Sequence, residues 1–195
     1  MRKLLFLCIL FHFVTLQSQL HRDSILEFQQ HLTQEYKDPD KSPLSNTDLK
    51  NFAGHTFFPI DETFKIKAKF QRILNAVPFQ MKTTTSRQPT YEVYGIATFV
   101  IHKQEYQLNI YQSHSLRTKE KFKKRLFLPF TDATNGISSY TGGRYIDLEI
   151  PEGDIIVIDF NKAYNPYCAY SSAYSCPIPP KENDLPIAIT AGIKN

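Results

Sequence analysis

The sequence predicts a mainly β, single-domain protein, an antiparallel β-barrel or sandwich with one α-helix at its N-terminus. Three observations lead there. Apolar residues follow a helical period only between residues 24 and 36, and from residue 64 the period drops to two. Short strand-like runs then recur at regular spacing, separated by glycine, proline and asparagine turns. No internal repeat and no low-complexity linker divides the chain.

The first residues, MRKLLFLCILFHFVTLQSQ, place Arg2 and Lys3 ahead of an apolar run from Leu4 to Val14, with small and polar residues around Ser18. This is the order of a secretory leader, so residues 1–18 are expected to be a signal peptide cleaved near Ser18 and the protein to be exported, periplasmic or secreted. The run is shorter than the ~20 residues of a membrane-spanning helix, and no later run approaches that length, so no transmembrane segment is expected. Bulky Phe6 and Leu7 before Cys8 argue against a lipid anchor there. Losing Arg2 and Lys3 lowers the formal charge from +4 to +2. So small a net charge offers no global attraction for nucleic acid.

Residues 19–54 read as a helix and a linker. Ser24-x-x-Glu27 is a capping-box pattern, Ile25, Phe28, Leu32 and Tyr36 follow at helical spacing, and Asp38-Pro39 ends them. A short helical turn capped by Asn46 or Thr47 follows. Residues 55–195 form the β-rich domain. FKIKAKF puts Phe64, Ile66, Ala68 and Phe70 on one face and Lys65, Lys67 and Lys69 on the other, a solvated stripe. Tyr91 to Ile101 is apolar on both faces, as in a central strand, with Gly95 marking a bulge. A tight turn at His102 leads into Glu105 to Gln112. RLFLPF, RYIDLEI, DIIVIDF and LPIAIT complete the strands.

No motif with a known catalytic or cofactor mechanism is present, so no cofactor and no metal site is expected. His55, His102 and His114 lie far from other potential ligands in the sequence. RTKEKFKKR, residues 117–125, is a basic run between strands, most simply a solvated loop, with contact to phosphate or acidic polysaccharide as the alternative. In RYIDLEIPEGDIIVIDFN, a two-residue turn at Glu152-Gly153 would pair the flanking strands as a hairpin, with Arg144 opposite Asn161 and diagonal to Asp159. Arg144 then either forms a structural ion pair with Asp159 or offers its fork to a ligand carboxylate or phosphate. Gly142-Gly143 lets a ligand approach closely.

FLPFTDATNGISSYTGGRYIDLE, DFNKAYNPYCAYSSAYSCPIPPKENDLPI and the closing AGIK resemble the bacterial family known as domain of unknown function 1684. The likeness spans Phe57 to Lys194, with Ile193 where the family pattern has Glu. The resemblance implies no activity, because the family has none established. Cys168 and Cys176, in an exported chain, are expected to form a disulfide; a structural zinc site or a free thiol pair are the alternatives. Asn161, Asn165 and Asn183 and four prolines make the surrounding stretch a rigid cover. Two functions fit. One is a module binding a small polar or anionic ligand among Arg144, Asp159, Asn161, Tyr140, Asp132 and Asn165. The other is an envelope hydrolase using Asp132 or Asp159 as acid or base, with Arg144 or Tyr140 stabilising charge. A purely structural role is a third, and enzymatic activity is left open.

Overall fold

The computed structural model describes the backbone of residues 2–195 and the side chains of residues 18–195, so the expected leader falls almost wholly outside the described side chains. Helix α1 (Arg2–Lys37) runs through Ser24, whose hydroxyl accepts from Lys162 Nζ at 3.0 Å, so the capping-box pattern there does not start it. It ends where expected, ahead of Pro39, with Ile25, Leu32 and Tyr36 buried along one face. Helix α2 (Asn46–Asn51) is capped by Ser45, whose hydroxyl accepts the Asp48 N–H at 3.1 Å. The cap is therefore one residue earlier than the sequence suggested. Strands β1 (Thr56–Phe57), β2 (Lys65–Arg72), β3 (Phe79–Gln80), β4 (Thr90–Ile101) and β5 (Gln104–Ser113) follow, then helix α3 (His114–Arg117). The chain finishes with β6 (Arg125–Asp132), β7 (Arg144–Glu149), β8 (Ile155–Asp159), β9 (Asp184–Leu185) and β10 (Ile193–Lys194).

The main sheet runs β7-β6-β5-β4-β2-β8, with β3 beside β4 and β9 parallel to β6; β1 and β10 pair apart from it. It curls into an antiparallel half-barrel, confirming the mainly β class. The alternation in FKIKAKF places Phe64, Ile66, Ala68 and Phe70 inside and leaves the three lysines exposed. The central strand is β4, whose register slips between Val93 and Gly95 at the expected bulge. His102 and Lys103, both at positive φ, make the turn into β5. The concave face is filled by one apolar core that includes Phe70, Phe99, Ile110, Leu128, Phe130 and Ile158.

Two expectations about the strands fail, each for a physical reason. LPIAIT forms no strand beyond Leu185. Ile189 and Ala191 bury their side chains, but the carbonyls of Ile189 and Ala191 bond the Arg144 guanidinium and not a neighbouring strand. Nor do RYIDLE and DIIVID form a hairpin. β7 pairs with β6 and β8 with β2, so PEGD carries the chain across the seam between the two edges of the half-barrel. Partnering β2 also sets the parity of β8: Ile156 and Ile158 point inward, while Ile155 and Val157 remain about half exposed. The hairpin would have turned the opposite face inward, and a one-residue change of parity moves every side chain across a sheet.

Candidate functional site

Arg144 is completely buried, and its partner is Asp132, not Asp159. Nη2 donates to Asp132 Oδ2 at 2.7 Å and to the Ile189 carbonyl at 2.8 Å. Nη1 donates to the carbonyls of Ala191 and Ile193 at 2.6 and 3.1 Å. Asp132 Oδ1 accepts the N–H groups of Thr134 and Ile189. The fork thus holds residues 189–193 against the barrel end, and no face of it is open to a ligand.

Asp159 lies on the other edge strand. Its Oδ2 meets His21 Nε2 of α1 at 2.7 Å, and its Oδ1 accepts from the backbone and side chain of Asn161. Asn161 in turn exchanges two hydrogen bonds with the backbone of Asp61, fixing the approach to β2. The proposed cluster is therefore split between two structural networks. Neither Asp132 nor Asp159 keeps an unshared carboxylate oxygen for acid or base chemistry. Asn165 donates to the Tyr170 hydroxyl at 3.0 Å inside an aromatic cluster with Tyr36 and His55, away from Arg144. Tyr140 lies beside Cys168.

The proline-rich stretch does form a cover, but over the outer face of the sheet. Tyr145 and Tyr164 exchange backbone hydrogen bonds at 2.9 and 3.0 Å, and Ile178 N–H bonds the Lys82 carbonyl at 2.9 Å. Asn183 accepts the Asn109 N–H and donates to the carbonyls of Asn109 and Pro129, filling a gap in the β5–β6 ladder. Cys168 and Cys176 are both free thiols in this structure, so the expected disulfide is not formed here. They are neighbours, since Cys176 Sγ accepts the Cys168 N–H at 3.1 Å. Burial pushes the Cys176 thiol up to about 11.

Between this cover, α1 and the outward side chains of β6 and β7 lies a cleft of about 540 Å³. Phe127, Tyr145, Tyr164 and Tyr167 supply aromatic wall, with Phe28 and Leu32 of α1 opposite. Three charged groups line it: Glu35 of α1, whose Oε1 accepts from the Tyr167 hydroxyl at 3.2 Å, and the pair in which Arg125 Nη2 stands 3.6 Å from Asp147 Oδ2, with side chains 46 % and 39 % exposed. Solvent reaches Asp147, yet protein atoms crowd it on the concave floor. That burial raises its pKa, and Arg125 and the Tyr164 hydroxyl offset the effect only in part. Burial also holds the Tyr164 phenol neutral well beyond its ordinary range. A recessed apolar cleft with a few convergent polar groups and a perturbed carboxyl is the physical profile of a ligand site.

Sequence reasoning left Arg125 at the end of the basic run 117–125 and did not single out Asp147. Their outward parity was visible, because Asp147 alternates with Ile146 and Leu148, and Arg125 precedes inward Leu126. Charges on an outward face read as solvated, and nothing local shows that a segment 17 or more residues later will wall them in.

No curated protein matches the chain. An uncharacterized protein of Haloarcula marismortui, solved in solution by NMR, is similar over 92 % of this chain and 96 % of its own, with 28 % identity and a TM-score of 0.71. That likeness supports the half-barrel with its N-terminal helix. Residues 50–194, the β-rich domain with its buried Arg144, its cover and its outer cleft, match the family described as protein of unknown function (DUF1684), and the chain belongs to that family.

Proposed function

We propose that this protein is a binding module for a small ligand with a flat apolar body and a polar or anionic end. The ligand would sit in the cleft between α1 and the outer face of β6 and β7, three residues along β7 from Arg144. The observation that carries this reading is the Arg125–Asp147 pair, recessed between tyrosine walls yet open to solvent. Arg125 would take an anionic group on its planar fork, and Asp147 beside it would orient that fork. Buried Arg144 serves the site indirectly, by fixing the start of β7. As part of the same reading, the chain is exported and cleaved near Ser18, and Cys168 and Cys176 bond to each other there. Cleavage would leave Phe28, Leu32 and the rest of the α1 wall in place.

The test uses phenyl phosphate and benzoate as anionic probes and benzyl alcohol as a neutral one. The chain has no tryptophan, so emission comes from its 11 tyrosines, five of which line the cleft. The anionic probes should quench emission and raise the melting temperature, and Arg125→Lys should weaken both effects about tenfold while leaving the unliganded melt unchanged. No response to any probe, or a response indifferent to Arg125→Lys, would reject the reading.

A further inference from the structure

A second surface stands independently of that cleft. Glu92, on β4, is 6 % exposed and gathers three basic side chains. Arg117 Nη1 is 2.8 Å from Oε2, His114 Nε2 2.9 Å from the same oxygen, and Arg72 Nη2 3.4 Å from Oε1. Glu92 therefore ties the end of β2 to α3 across β4. Each of those elements leads directly into an exposed segment. After Arg72, the chain turns at Leu74-Asn75, with Asn75 at positive φ, and presents Leu74 and Val77 at 79 % and 82 % exposure. After Arg117 comes the basic run, whose Lys119, Lys121, Lys123 and Lys124 are all exposed.

The charge of the molecule is concentrated at this end. Leaving out Arg125, which belongs to the cleft, Arg72 and Glu92 with residues 117–124 set six basic groups against two acidic ones, an excess of +4 that equals the charge of the whole chain. The remainder is thus neutral overall. Leu74 and Val77 are left to solvent, and Glu92 together with Glu120, which pairs with Lys123 at 2.5 Å, cannot neutralise the cations around them. Exposed aliphatic side chains beside a field of lysines match the chemistry of a bilayer surface that carries anionic headgroups: the lysines meet the phosphates and the aliphatic tip enters the acyl boundary. A soluble polyanion would satisfy the lysines but would leave the tip without a partner.

We propose that this end of the molecule docks on anionic lipid bilayers, with Leu74 and Val77 inserted and Lys119, Lys121, Lys123 and Lys124 at the headgroups. The experiment is co-sedimentation of the full chain with phosphatidylcholine vesicles, with and without about 30 mol % phosphatidylglycerol. Binding should require the anionic lipid and weaken with added salt. Leu74→Asp with Val77→Asp, and separately Lys119→Glu with Lys121→Glu, should each weaken it about tenfold or more, with unchanged thermal melts because all four side chains are exposed. Failure to bind anionic vesicles overturns the proposal. So does binding that survives either double variant, and binding that loses its salt-sensitive part with the lysine pair but ignores Leu74 and Val77 identifies a general polyanion surface instead.

Discussion

Arg144 and Asp132 meet at 2.7 Å with neither side chain exposed to solvent at all. The pair sits twelve residues apart in sequence, on strands that are hydrogen-bonded neighbours, and it also collects three carbonyls from the C-terminal segment. Removing one member strands the other. Arg144→Met should therefore cost about 3–5 kcal/mol, the range for a buried charge left without its partner. Arg144→Lys should recover little of it, because one ammonium cannot reach four acceptors in two directions. Urea denaturation measures both, and a loss under about 1 kcal/mol for the methionine variant would contradict the buried network.

Gly143 turns the chain into β7 at φ 86°, and a Cβ there would lie 2.6 Å from the Phe130 carbonyl oxygen. Gly143→Ala should cost at least about 2 kcal/mol, combining left-handed strain with a backbone clash. Gly153 is the control: it has nothing within 4 Å of an added Cβ. Gly153→Ala should be neutral or stabilising by up to about 1 kcal/mol. Equal melting temperatures for the two variants would refute this.

His55 lies among rings, 4.3 Å from Tyr36 and 4.9 Å from Phe52 between centroids, and burial lowers its pKa to about 4. The folded state thus binds this proton less readily than the unfolded chain does. Its stabilising contribution is complete above the unfolded value near 6.5 and is lost as pH falls towards about 4. The loss should approach about 3 kcal/mol over that window. His55→Phe should flatten this part of the stability–pH curve, and parallel curves for parent and variant would disprove the assignment.

Cys168 and Cys176 are close enough for the Cys168 N–H to reach Cys176 Sγ. In protein recovered from an oxidising compartment the two should be bonded, stabilising the cover by about 2.6 kcal/mol on the chain-entropy estimate for a nine-residue loop. Alkylation must be done after denaturation, since the buried Cys176 thiol reacts slowly while folded. Peptide mapping without reductant should find neither cysteine modified; both modified would reject the bond.

Local periodicity by itself determined a large part of this protein. The helix ending before Pro39, the alternation of Phe64 to Phe70, the bulge at Gly95 and the turn at His102 are each set by neighbours within a few residues. Those neighbours dictate backbone conformation and which side chains share a face. Tertiary structure alone decided which strand edges meet. DIIVID has the pattern to pair with RYIDLE next to it, yet the curl of the sheet sends it to β2 at the far edge. With that choice Asp159 passes from Arg144 to His21, Arg144 takes Asp132, and the cover closes over Arg125 and Asp147 on the outer face. Backbone hydrogen bonds are nearly indifferent to which partner strand supplies them, so pairing follows the burial of the whole core, a property no short stretch of sequence contains.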